Sequence, residues 1–127
     1  MARALLAWVL LIGLETVHGI LRTLFLAPRL GDFRARQVSV FTGLAIIFAV
    51  AWLTSRWRAA PSSRAELRTG ALWVALTIAF EVSLGLLQGF SWSRIFEDYD
   101  LSRGGLLGLG MVGLFLAPWL ARRLRRG

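Results

Sequence analysis

Residues 4–26 read ALLAWVLLIGLETVHGILRTLFL, and residues 70–90 read GALWVALTIAFEVSLGLLQGF. Each run is long enough to cross a bilayer as a helix, which takes about 20 apolar residues. Each also carries one carboxylate near its middle, Glu15 in the first and Glu81 in the second. A charge at that depth costs a few kcal/mol or more. Two of them in one short chain therefore mark a retained feature. They stand 66 residues apart, and the same offset sets Gly19 on Gly85, Leu21 on Leu87, Asp32 on Asp98, Phe33 on Tyr99, Ala51 on Ala117 and Arg56 on Arg122. The chain reads as one membrane domain over 1–127, a tandem duplication of a two-helix unit. Repeat one covers about 1–58 and repeat two about 67–124, with a linker over about 56–69.

Two further apolar runs, at 38–53 and 104–120, complete four expected spans. In lipid the backbone must satisfy its own hydrogen bonds, so the spans are helices and the expected class is an all-α, four-helix polytopic membrane bundle. The first run is not read as a signal peptide: it is too long, it holds Glu15, and no small-x-small cleavage site follows it. Two spans per repeat make both repeats enter the membrane in the same sense, so the expected symmetry axis runs along the membrane normal. Glu15 and Glu81 are then expected at equal depth.

Of the 127 residues 57% are hydrophobic. Cysteine is absent, which excludes disulfides and thiolate metal sites. Lysine and asparagine are absent too, and all fifteen basic residues are arginine, a bias that fits a GC-rich genome. The net charge of +8 is read as membrane topology and not as a nucleic-acid surface. Arg3, Arg56, Arg58, Arg64, Arg68, Arg122, Arg123, Arg125 and Arg126 fall at the termini and the middle connection with one acid, Glu66. The other connections carry six arginines and four acids. The positive-inside rule then places both termini in the cytoplasm, in what is expected to be a bacterial inner membrane. The C-terminal ARRLRRG is expected to meet anionic lipid headgroups.

Glu15, His18, Gly19 and Arg22 are spaced i, i+3, i+4 and i+7 and share one helix face. The equivalent face of the third span holds Glu81, Leu84, Gly85 and Gln88. Such a face avoids lipid and turns to the bundle interior, a subunit interface or a water-filled cavity. The glycines are expected to let a neighbouring backbone approach. One reading makes Glu15, His18, Arg22, Glu81 and Gln88 an ion- or substrate-binding set, because burial favours a neutral carboxyl that exchanges protons near neutral pH. The other makes them packing pairs, Glu15 with Arg22 or His18 and Glu81 with Gln88 or a loop arginine. Glu15-x-x-His18 has the spacing of half a dimetal carboxylate site, but Glu81-x-x-Leu84 does not complete it. No metal, cofactor or catalytic group is expected, since no nucleophile–base pair, phosphate loop or zinc motif is present.

A second polar cluster, Asp32, Asp98, Asp100 and Arg103, lies in the connections GDFRARQ (31–37) and EDYDLSR (97–103). Asp32 and Asp98 are expected to cap the helices that follow and to offset nearby arginines. The alternatives are an acidic mouth that attracts cations or a docking surface. Phe90, Trp92, Ile95 and Phe96 read as a segment lying at the membrane interface.

The layout is similar to the small proteobacterial antimicrobial-compound efflux family, tandem transmembrane pairs with an acid in the first span and a Phe-Glu in the third. Glu15 stands at the first position and Phe80-Glu81 at the second, and Ala117-Pro118 resembles an Ala-Pro of the fourth span. The Arg and His preceding each family acid, and the Trp-Asn of its second span, are not present. The resemblance implies efflux with Glu15 and Glu81 as the acids, and carries no other site.

The leading expectation is thus a small non-enzymatic transporter or channel coupled to protons or cations. It is expected to be homo-oligomeric, with a pathway between subunits. A non-catalytic subunit or assembly factor of a larger membrane complex is the alternative, and a lipid or quinone binder the third.

Overall fold

The computed structural model describes residues 2–100, 102 and 104–126. Four long helices dominate it: α1 (Ala2–Leu30), α2 (Asp32–Arg58), α3 (Ser63–Leu87) and α5 (Leu107–Arg126). A short helix, α4 (Trp92–Glu97), interrupts the connection between α3 and α5. All four long helices are long and apolar enough to cross a membrane, and no strand occurs among the described residues. The protein is an all-α membrane bundle.

The helices outrun the apolar stretches, and some of the charges this brings into them, Arg36, Arg58 and Glu66, have partners. Ser62 caps α3, its hydroxyl accepting from the Ala65 amide at 3.1 Å. The turn between α2 and α3 is therefore only four residues, 59–62, closed by Ala59 in the left-handed region. Most of the expected linker is helix. Gly31, at φ +86°, makes the break between α1 and α2. Neither Pro28 nor Pro118 stops its helix. In α1 a π-helical turn over Arg22–Leu26 precedes Pro28, and the Ala27 amide bonds back to the Arg22 carbonyl. The wider turn accommodates a proline that has no N–H to give.

α2 packs along α5, α5 along α3, and α1 along α2, while α1 and α3 touch lightly. The helices thus form a ring in the order α1, α2, α5, α3. One end carries the start of α1, the end of α5 and the 59–62 turn (the terminal end); the other carries Gly31, residues 88–100 and residues 104–106 (the loop end). The core fills the terminal half, where Leu11, Val50, Ala51, Trp73, Leu114, Ala117 and Ala121 are buried together. Close backbone approach occurs at Gly70, where a Cβ would overlap the Phe115 carbonyl of α5. The expected pair does not do this: Gly19 faces Arg22 of its own helix, and Gly85 receives the Ile95 side chain of α4. Leu6, Val9, Val17 and Leu24 of α1 are exposed, as lipid-facing side chains are.

Candidate functional site

α1 and α3 meet where Trp8 lies edge-on to Phe80, centroids 6.4 Å apart, and its indole N–H donates to the Thr77 hydroxyl at 3.0 Å. Toward the loop end they separate, and a cavity of about 550 Å³ opens between them. Glu15, His18, Arg22, Glu81 and Gln88 all line it. Glu15 and Glu81 also border a smaller cavity of about 70 Å³ below, walled by Leu11, Met111 and Leu114. The two carboxylates stand at the waist between the cavities, and they act electrostatically on each other and on Arg22.

The surroundings of the two acids differ. Glu15 leans onto α2, where a Cβ on Gly43 would sit 3.2 Å from its Oε2. His18 Nδ1 lies 3.6 Å from Glu15 Oε2, and His18 Nε2 is hydrogen-bonded to the Thr42 hydroxyl at 2.5 Å. Glu15 Oε1 is buried without a hydrogen bond. The Glu81 side chain is exposed to the cavity and makes no hydrogen bond or ion pair among the described residues, and the side chains of Arg22 and Gln88 make none either. The Arg22 guanidinium lies against Gly19, 3.6 Å from where a Cβ would be. The packing-pair expectation therefore applies to Glu15 and His18 alone. Glu81 lies six residues, about 9 Å, from the end of α3, while Glu15 is at the centre of the longer α1.

The second cluster forms a lid support. Arg36, only 9% exposed, meets Asp32 at 3.1 Å, Glu97 at 2.8 Å and Asp98. Arg94 meets Asp32 at 3.2 Å and Asp98 at 3.7 Å, and lies over the Phe90 ring. Gln37 donates to the Gly104 carbonyl at 2.7 Å. These contacts fasten residues 94–98 and Gly104 onto the start of α2. Asp32 makes no capping bond, because Gly31 takes that position without a side chain. Asp98 likewise spends its carboxylate on arginines, so the capping reading is corrected for both. Its burial outweighs those arginines and raises its pKa above the ordinary 3.8. Asp100 accepts from the Ser102 amide and hydroxyl, and Arg103 lies outside the described residues. With Asp32, Glu97 and Asp98 paired, little of an acidic mouth remains.

The sequence reading missed Tyr99. It lines the cavity, and its buried hydroxyl has no hydrogen-bond partner. Burial first, then Glu81 and Asp98, pushes its pKa up to about 12, so it remains a neutral donor. The signal was its register with Phe33 in the 66-residue offset.

The terminal end is closed. Arg58 and Glu66 form an ion pair with side chains 2% and 1% exposed. Arg58 also donates to the Ala51 carbonyl and the Thr54 hydroxyl, each at 3.0 Å, and lies over the Trp73 ring. Trp73 donates across to the Ala4 carbonyl at 2.9 Å. The basic tail joins this seal: Arg122 reaches Ser63 and Pro61, and Arg125 lies over Trp52. It is thus bound to protein in part, where lipid contact alone was expected.

Among the described residues no three His, Asp or Glu side chains converge into a metal-binding group. The fold and cavity define a small four-helix membrane protein with a polar cavity in its loop half. No family model, curated protein or solved structure matches the chain.

Proposed function

We propose that the protein is a small membrane transporter or channel in which Glu15 and Glu81 take up a proton or small cation from the loop end. The observation that carries this is the convergence of two carboxylates, from different helices, on the floor of one cavity that ends in a sealed core. Arg22 beside them leaves the floor short of one positive charge when both acids are ionised, which one proton or one monovalent cation supplies. The cavity lies within a single chain, so the pathway does not need the subunit interface expected from sequence. Assembly with further copies remains part of the proposal, as do a tandem duplication of the two-helix unit and termini on the cytoplasmic face of a bacterial inner membrane.

The test is proton flux into proteoliposomes that enclose a pH-sensitive dye. Glu81→Gln and Glu15→Gln are expected to abolish flux while the helical circular dichroism is kept. Equal pH-dependent flux in both variants and the native protein would sink the proposal. A second reading, a subunit of a larger membrane complex, is favoured by Trp92 and Phe96 of α4. The two rings stack at 5.6 Å and both are more than half exposed. Recovery of larger partners at fixed stoichiometry from native membranes would decide for it.

A further inference from the structure

The cavity presents unsatisfied groups of both kinds. Glu81 and Glu15 Oε1 are acceptors without a donor, and the Arg22 guanidinium, the Gln88 amide and the Tyr99 hydroxyl are donors without an acceptor. A lone cation answers only the first set and a lone anion only the second. A ligand carrying an ammonium and a phosphate within a few ångströms answers both, and charge-assisted bonds of this type are the strong ones.

The walls indicate how such a ligand arrives. α1 and α3 part above Trp8 and Phe80, and the lips of that opening are Ile20, Leu24 and Leu84, which are 53%, 60% and 37% exposed. These side chains line the cavity and face the hydrocarbon at once. A soluble zwitterion gains nothing from them, whereas an acyl chain buries apolar surface against them. Glu81 is about 9 Å from the end of α3, within reach of a headgroup drawn down from the interface.

We infer that the α1–α3 cavity is a binding site for a lipid with a primary-amine phosphate headgroup, a phosphatidylethanolamine, entering sideways between the two helices. The ammonium donates to Glu81 and Glu15, the phosphate accepts from Arg22, Gln88 and Tyr99, and the tails leave past Ile20, Leu24 and Leu84. The inference uses the cavity of the transport proposal but does not depend on flux.

The experiment is to reconstitute the protein in vesicles with equal parts of phosphatidylethanolamine, phosphatidylcholine and phosphatidylglycerol, extract it gently, and quantify retained lipid by mass spectrometry. Phosphatidylcholine has no N–H to donate, and phosphatidylglycerol has no cation. The native protein is expected to enrich the ethanolamine lipid about tenfold over both. Arg22→Gln and Glu81→Gln should each reduce that to about twofold or less with helical content unchanged, and Ser63→Ala at the terminal end should leave it intact. Retention in bulk proportions, or enrichment that survives in both cavity variants, would overturn the inference. So would displacement by millimolar glycerophosphoethanolamine, which would make the ligand a soluble zwitterion. Flux without lipid selectivity removes this inference alone, and selectivity without flux removes only the transport proposal.

Discussion

The seal of the terminal half and the cavity of the loop half handle charge in opposite ways. In the terminal half, Arg58 and Glu66 are buried, but each has the other, and Arg58 has two further oxygens and an indole face. In the loop half, Glu81 and Arg22 line an open cavity and remain without a hydrogen bond or ion pair among the described residues. Saturated charge accompanies tight packing and a closed end. Unsaturated charge accompanies separated helices and space. The difference teaches that burial alone does not single out a candidate group here; the lack of a partner does.

The largest effect expected from testing this contrast is at the seal. Arg58→Met or Glu66→Leu alone strands a buried charge and should cost about 3–5 kcal/mol in detergent unfolding, with much of that recovered in the double variant. A single variant as stable as the native protein would mean that the seal is not what holds this end. Next comes the pair Gly70→Ala and Gly43→Ala. The first drives a methyl into the Phe115 carbonyl and should cost about 1–3 kcal/mol. The second meets the Glu15 carboxylate, which can swing into the cavity, and the His18 ring only at an ordinary 3.7 Å, so melting should shift much less. Equal losses would show that the loop half is packed as rigidly as the terminal half. The smallest stability effect belongs to Glu81→Gln, which removes an unpaired charge and should leave the melting temperature unchanged or raised. A clear drop would reveal a partner for Glu81.

The membrane helices were legible because apolar runs of this length have few other uses, and Glu15 and Glu81 stood out because acids in such runs are costly. Arg58 and Glu66 were not legible as a buried pair. They flank the end of one apolar run and precede the next, so they read as linker charges until the four-residue turn folds one onto the other. Arg36 misled similarly: its three carboxylate partners come from positions four and more than sixty residues away. Tyr99 was hidden because its value lies in an unpaired hydroxyl, which only the fold exposes.

The central claim is a cavity open at the loop end and sealed at the terminal end. The chain has no cysteine, so single cysteines report cleanly. Thr16→Cys and Gln88→Cys line the cavity, and Val50→Cys sits in the sealed core. A membrane-impermeant thiol reagent should label the first two from the loop-end side only and should not label the third from either side. Labelling of Thr16→Cys from both sides, or from neither, would contradict the account.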